Sequence, residues 1–462
     1  MKKTKRMLAA LLAACMLQTS VLGAVTAGAE TVVSSEAQSA KPVVTASFDG
    51  KDIKLTWTSV AGAVKYRLYE YENGKLKKLA DKTGCSATIK NAAVGRDYKF
   101  AVRARVDGKW TSVTKGDLVT VSASSSSAAE GEKMLSLWTS DAKAKTELIS
   151  YMKAITTEGS KDYIPVENRI AVFDFDGTLF CETDPNYFDY TLLKYRVLED
   201  PDYKDKASDF EKEVANKIKE QNETGKSFDG LEVDHGKAVA SAFKGMTLDE
   251  FNSYIQKFKK QSMPSYDGMK RGEGFYRPML QVIDYLKANG FTVYVVSGTD
   301  RFIVRGIVYN SALDLPNSQI IGSDELLVAT NQGDTDGLKY TFTDADKLVL
   351  GGKFIIKNLK TNKVTVIAQE IGEQPVLSFG NSTGDASMAE YATSGNKYRS
   401  LAFMLCCDDT ERENGNIEKA DKMYSLCDEF DWVPISMKND WTTIYGDGIT
   451  YNGAKTEVKP AA

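Results

Sequence analysis

The chain has 462 residues, 42% of them hydrophobic and 26% charged, with a net charge of −4 and a pI near 5.5. This length accommodates two or three domains, and the composition is that of ordinary globular protein. The acidic balance excludes a protein held to nucleic acid by bulk electrostatics.

At the amino terminus Lys2, Lys3, Lys5 and Arg6 precede an apolar run from Met7 to about Leu22, and the small residues Ala27-Gly-Ala29 follow. The pattern predicts a secretory signal peptide over residues 1–29, and hence a secreted or cell-surface bacterial protein. Leu12-Ala-Ala-Cys15 resembles a bacterial lipoprotein box, which makes lipid anchoring at Cys15 the minority alternative, because the apolar run continues past it. No later stretch is long and apolar enough to span a bilayer. Cys85, Cys181, Cys406, Cys407 and Cys427 lack the spacing of a disulfide framework or a zinc site and are expected to be mostly buried free thiols.

Residues 42–122 alternate apolar and polar side chains in short runs, such as Ile53-Lys-Leu-Thr-Trp57, Tyr66 to Tyr71 and Tyr98 to Arg105. Asn73-Gly74 and Asp107-Gly108 supply turns between them. Short alternating strands at regular intervals predict an all-β sandwich, with Trp57 and the tyrosines in its core. The segment resembles a fibronectin type III domain, which implies a spacer or adhesion unit with surface, carbohydrate or protein contacts. Residues 123–133, rich in Ser and Ala, are expected to form a flexible linker.

From Met134 to about residue 450 helices alternate with buried strands, the signature of α/β architecture with a parallel sheet. Ile170 to Phe173 reads as a fully buried strand that runs into Asp174-Phe-Asp-Gly-Thr178. Residues two apart on extended backbone point the same way, so Asp174 and Asp176 can face one point at the carboxyl end of the strand, where open α/β sheets bind ligands. A hard cation with oxygen ligands would neutralise them; the alternative is an acidic turn with no chemistry. Phe291-Thr-Val-Tyr-Val-Val-Ser-Gly-Thr299 is a second such run, preceded by an amphipathic helix over Pro278 to Asn289. Ser297 at its end is either a phosphate ligand or a cap for the next helix. Val376 to Phe379 is a third buried strand, followed by the polar turn Gly380-Asn-Ser-Thr-Gly-Asp385.

Asp174-Phe-Asp-Gly-Thr178 is similar to the first motif of the haloacid dehalogenase superfamily, most of whose members are magnesium-dependent phosphatases. The resemblance implies a Rossmann-like core in which Asp174 attacks phosphorus and Asp176 acts as general acid and then base. It places Thr178, Ser297, Gly298 and Lys363 at the phosphate, and it gives Mg2+ a set made of Asp174, the carbonyl of Phe175, Asp176, Asn381 and Asp385. The four motif stretches, that of Lys363 included, are each expected at the end of a buried strand. The final turn resembles the phosphoserine- and phosphorylcholine-phosphatase-like branch, with Asn381 standing where Asp is commoner. An amide oxygen still ligates magnesium but adds no charge, so the duties of Asn381 and Asp385 stay open.

The stretch between the first two motifs, about 183–272, resembles the family's helical cap. Asp209 to Glu220 has Phe210, Val214 and Ile218 on one side, and Thr247-Leu-Asp-Glu250 is a capping box before Phe251, Tyr254, Ile255 and Phe258. The aromatics are expected in the cap core. Glu182 meets a cationic group of the substrate or is a surface residue. His235, the single histidine, is expected to be a surface or cap residue without a catalytic part. Between Gly322 and Gly352, alternating pieces such as Leu338 to Phe342 suggest a small β-hairpin insertion. The cluster from Cys406 to Arg412 has no assigned role, although similar bacterial phosphatases carry His where Cys406 and Cys407 stand. The expectation is a secreted phosphomonoesterase acting on a small phosphate ester, with no nucleic-acid partner. Two alternatives are a catalytically idle surface binding protein and a phosphotransferase to an acceptor other than water.

Overall fold

The computed structural model describes residues 41–453 apart from 49–51, 73, 91, 93–95 and 124–127. The expected signal peptide and Cys15 lie outside the described residues. Among the described residues no helix is long and apolar enough to cross a membrane.

The first eight strands are β1 (Val44–Phe48), β2 (Ile53–Trp57), β3 (Ala63–Glu72), β4 (Lys75–Lys82), β5 (Ser86–Ile89), β6 (Arg96–Val106), β7 (Lys109–Trp110) and β8 (Val119–Ala123). They form a three-stranded sheet, β1-β2-β5, and a five-stranded sheet in which β4, β3, β6 and β7 are joined by β8 on β6. Period-two alternation puts Ile53, Leu55 and Trp57 of one sheet, and Tyr66, Leu68, Tyr98, Phe100 and Val102 of the other, into a single buried core. The Tyr66 hydroxyl accepts the Val60 N–H at 2.9 Å, so the buried ring keeps its polar tip satisfied. The linker is shorter than expected: β8 runs through Ala123 and a helix spans Ala128–Met134. Glu130, Glu132 and Lys133 suit a helix. The helix also packs closely, since a Cβ at Gly131 would come within 2.9 Å of Ile149 and 3.0 Å of Tyr285.

Nine further strands follow: β9 (Ile170–Phe173), β10 (Tyr266–Asp267), β11 (Thr292–Asp300), β12 (Ile320–Ala329), β13 (Leu348–Ile356), β14 (Leu377–Gly380), β15 (Leu401–Cys406), β16 (Val433–Ser436) and β17 (Thr450–Tyr451). Seven make one sheet in the order β13-β12-β11-β9-β14-β15-β16. The six from β12 to β16 are parallel, and β13 runs antiparallel on the edge. In chain sense the parallel strands read 3-2-1-4-5-6, the doubly wound order, and the direction of winding reverses between β9 and β14. At that centre Phe173, Phe379 and Phe403 stack across three strands with centroids 4.2 and 4.9 Å apart. The helix Arg277–Ala288, with Pro278 in its first turn, precedes β11 as the periodicity predicts.

Four helices between the first two motifs, Phe188–Leu198, Asp209–Thr224, Leu231–Ala242 and Leu248–Phe258, cover the carboxyl end of the sheet. Thr247 and Glu250 close the expected capping box, and Ser208 with Glu211 forms a second. Val214, Ile218, Phe251, Ile255 and Phe258 are buried in the core, whereas Phe210 is exposed. An antiparallel hairpin does form over the expected interval, but its strands are not the piece at 338–342. β12 and β13 pair antiparallel, while Leu338, in a short 3-10 turn between them, is 98% exposed. A lone apolar turn with nothing to pack against stays in water. The Cys181, Cys406 and Cys427 thiols are buried and free, and Cys85 and Cys407 are half-buried and free.

Phe379→Ala removes the middle ring of the central stack. The expected outcome is a loss of about 3–5 kcal/mol of stability, read by chemical denaturation followed by circular dichroism.

Candidate active site

The buried strand β9 ends in a turn built by its own backbone. The Phe175 carbonyl accepts the N–H groups of Thr178, Leu179 and Phe180 at 3.3, 2.8 and 3.0 Å. Gly177 sits at φ +75°, and a Cβ there would meet the Asn381 amide at 1.8 Å and Glu182 at 2.7 Å. Only glycine lets the two loops approach this closely. The three N–H groups remove Phe175 from the expected metal ligands, because its carbonyl is turned into the loop and its lone pairs are taken.

Asp174 stands at the tip of β9, its N–H bonded to the Phe379 carbonyl of β14 at 2.9 Å. The Lys363 ammonium donates to Asp174 Oδ1 at 2.5 Å and to Asp385 Oδ1 at 2.7 Å. Lys363 is fully buried. It comes from the short helix Thr361–Val366, which continues into a π turn over Ile367–Ile371, not from the end of a buried strand as expected. The other Asp385 oxygen accepts the Asn381 and Ser382 N–H groups at 3.1 and 3.0 Å and the Ser382 hydroxyl at 3.0 Å. Burial, then the neighbouring Asp385 carboxylate, raises Asp174 to about 7 against the pull of Lys363. Burial opposes the charge on Lys363, but the two carboxylates outweigh it and hold its pKa above the usual value.

Asp176 is buried, and burial followed by the nearby Asp189 and Asp174 carboxylates raises it well above the carboxylate range. The Thr299 hydroxyl lies 2.7 Å from Asp176 Oδ2 and 3.3 Å from Asp189 Oδ2. A hydroxyl has one proton to give, so bonding both carboxyls requires one of them to carry a proton. Among the described residues Asp176 Oδ1 has no hydrogen-bond partner.

These groups border a cavity of about 190 Å3 whose lining includes Asp174, Asp176, Glu182, Asp189, Gly298, Thr299, Asn381 and Asp385, with Tyr187, Tyr190 and Glu232 from the cap side. At Glu182, Tyr187 and Tyr190 it meets a groove of about 640 Å3, also walled by Asn186, Gln221, Asn222, Asn414 and Asn416. Three of the phosphate residues read from sequence do not reach the cavity wall: Thr178, Ser297 and Lys363, which lies behind Asp174 and Asp385. The buried Thr178 hydroxyl donates to Asp174 at 3.4 Å. The fully buried Ser297 hydroxyl accepts the Thr299 N–H at 3.0 Å, and its carbonyl takes the Asn358 amide. Gly298 does reach it, where a Cβ would run into Leu359 at 2.6 Å.

Glu182 is half-buried in the cavity wall, not at the surface. His235 lies on the cap helix Leu231–Ala242 but is buried, its ring 4.1 Å from Tyr190 and its Nδ1 3.8 Å from Asp189. Burial lowers it to about 4, which leaves the imidazole neutral. Asp189 and Thr299 escaped the sequence reading because each is ordinary in its own stretch and gains meaning only from facing Asp176. Glu413, just past the unassigned acidic cluster, is buried and accepts the hydroxyls of Thr183, Tyr266 and Tyr445. It thereby anchors the loop that carries Glu182.

The donor set suits a hard divalent ion. Carboxylates outnumber ammonium groups around the cavity, and one Asp176 oxygen is unpartnered. Among the described residues no three Asp, Glu, His or Cys groups already surround one point. Magnesium asks for less, since it is commonly held by one or two carboxylates with waters and phosphate oxygens. Asp174 and Asp385, with the Asn381 amide nearby, match that demand.

Paired acids at a reversal point of a doubly wound sheet, with a buried lysine between them, accord with the family comparison. Residues 171–390 match the model of the haloacid dehalogenase-like hydrolase family, so the chain carries a haloacid dehalogenase-like hydrolase domain. No curated protein matches the chain. Among solved structures it is similar to a conserved functionally unknown protein from Anaerococcus prevotii DSM 20548 (15% identity, covering 63% of this chain and 91% of that one, TM-score 0.40). It is also similar to cytosolic 5'-nucleotidase IIIB bound to cytidine (13% identity, 64% and 87%, TM-score 0.39). Its amino-terminal part is similar to an Fn3-like protein from Clostridium thermocellum (24% identity, 18% and 93%, TM-score 0.17).

Lys363→Met leaves Asp174 and Asp385 buried without their shared cation. The expected cost is about 3–5 kcal/mol of stability, measured by denaturant unfolding, with part of it recovered when Asp385→Asn is added.

Proposed function

We propose that this protein is a secreted, magnesium-dependent phosphomonoesterase that works through a phosphoryl group carried on Asp174. The observation that carries the reading is the split between two neighbouring acids. Burial raises both acids, but Lys363 beside Asp174 holds its rise to about 7, whereas Asp176, buried and then flanked by the Asp189 and Asp174 carboxylates, rises well above the carboxylate range and favours its protonated form. One is suited to attack and the other to donate a proton.

In the first step an Asp174 oxygen bonds to phosphorus as the bond from phosphorus to the ester oxygen breaks, and Asp176 gives its proton to that oxygen. In the second, Asp176 takes a proton from water as the water oxygen attacks phosphorus, releasing phosphate and restoring Asp174. Lys363 offsets negative charge beside the transferring group throughout, and the Gly298–Thr299 segment borders its path. Mg2+ bound by Asp174 and Asp385, with Asn381 beside them, would supply further charge neutralisation to the phosphoryl oxygens. The groove beyond Tyr187 and Tyr190 would receive the rest of the substrate, and its carboxamides suit a hydrogen-bonding carrier group. The basic and apolar amino terminus supports export.

The purified protein is expected to release phosphate from an aryl phosphate with added Mg2+ and to lose this activity in a chelator. Asp174→Asn should abolish turnover, and Asp176→Asn should lower kcat by about 10²–10⁴-fold. Hydrolysis that survives Asp174→Asn would exclude the covalent route.

A further inference from the structure

The amino-terminal sandwich carries a charge pattern that hydrolysis does not explain. Residues 42–122 hold 15 lysines and arginines against 8 acidic residues, in a chain whose net charge is −4. Much of this excess lies on one surface. In β3 the buried positions are Tyr66, Leu68 and Glu70, so Lys65, Arg67, Tyr69 and Tyr71 face outward. In β6 the outward positions include Lys99, Arg103 and Arg105.

The register between these strands sets Lys65 directly opposite Arg105, and Arg67 directly opposite Arg103. Like charges facing each other across an antiparallel pair are destabilising, and here two such rungs adjoin. One carboxylate relieves them in part. Asp81 of β4 accepts Arg67 Nε at 2.6 Å and Nη2 at 3.1 Å, with Lys78 at 3.1 Å and Lys65 at 3.5 Å. Among the described residues Arg103 and Arg105 meet no carboxylate; Arg103 donates to the Thr111 and Trp110 carbonyls and Arg105 to that of Gly108. The guanidinium groups of Arg67 and Arg105 lie 4.3 and 5.9 Å from the centre of the Trp110 ring. The face is therefore a set of guanidinium forks already held in place, so an anion seated there would order few further rotamers.

A polyanion would complement this face and relieve its repulsion. The sheet is broad and enters neither groove of a nucleic-acid duplex. A single strand stacks successive bases on open aromatic rings; here Trp110 is covered by Arg67 and Arg105, and Tyr69 and Tyr71 are half-buried. A charged sugar chain needs only the forks for its anions and the half-buried Tyr69 and Tyr71 beside them. We propose that the outer face of the five-stranded sheet docks a polysaccharide bearing phosphate groups, tethering the hydrolase domain to its substrate. The choice of phosphate among anions rests on the phosphatase reading above.

The test is binding of the full chain to phosphorylated dextran, unmodified dextran and a single-stranded oligonucleotide, with aryl phosphate hydrolysis followed in parallel. Phosphorylated dextran is expected to bind and plain dextran not to bind, with the complex lost at roughly 0.5 M salt. Lys65→Gln/Arg105→Gln should weaken binding about tenfold or more, as loss of a charge-assisted hydrogen bond does. Lys54→Gln/Lys82→Gln, which removes the same charge away from this face, should leave binding unchanged. Equal binding of both dextrans, tighter binding of the oligonucleotide, or equal weakening by the two double variants would overturn the proposal. Absent hydrolysis with phosphorylated dextran still bound would count against the phosphatase reading alone.

Discussion

One buried ammonium group organises the hydrolase domain. Lys363 lies between Asp174, which follows β9, and Asp385, which follows the loop after β14. These strands flank the reversal of the sheet, where the crevice must open. A buried carboxylate without a partner is costly, so the two loops hold each other in register through the same lysine. The backbone N–H groups of Asn381 and Ser382 fix the other oxygen of Asp385, so the anchor does not drift. Two carboxylates share one ammonium, and the net negative charge left over makes the site receptive to a further cation.

The second constraint is apolar. Phe175 stacks on Phe180 at 5.2 Å, Phe180 meets Phe188 at 6.2 Å, and Phe188 meets Phe258 at 5.2 Å. This line of rings runs from the acidic loop into two cap helices. Because close-packed interiors transmit displacement, the cap is seated by the same side chains that shape the loop. It places Asp189 across Thr299 from Asp176, and it brings Tyr187 and Tyr190 to the mouth of the cavity.

Much of the architecture was legible because it depends on local periodicity. The buried strands β9, β11 and β14, the helix before β11, the Thr247–Glu250 capping box and the alternating strands of the sandwich each appear in a window of a few residues. The acid pair was legible for the same reason, since Asp174 and Asp176 stand two apart with only Phe175 between them at the end of a buried strand. What misled was local too. Asn362 to Ile367 is rich in β-branched residues, yet it forms a helix that carries Lys363 to the two acids, and tertiary packing overrides so weak a propensity. Leu338 to Phe342 alternates like a strand but has no neighbour to pair with. The Phe175 carbonyl looked available until the turn closed on it.

By itself the amino-acid sequence determined an all-β segment joined to a doubly wound α/β hydrolase domain, and it marked Asp174, Asp176, Lys363 and Asp385, because strand period, turn formers and charge on apolar runs are short-range properties. Only the tertiary structure decided that Ser297 and Thr178 brace the site from within, that Asp189 and Thr299 govern the surroundings of Asp176, and that Arg67 and Arg103 confront each other across two strands. Those relations join residues far apart in the chain, and their energies depend on desolvation and on which group ends up opposite which, quantities that do not exist until the chain is packed.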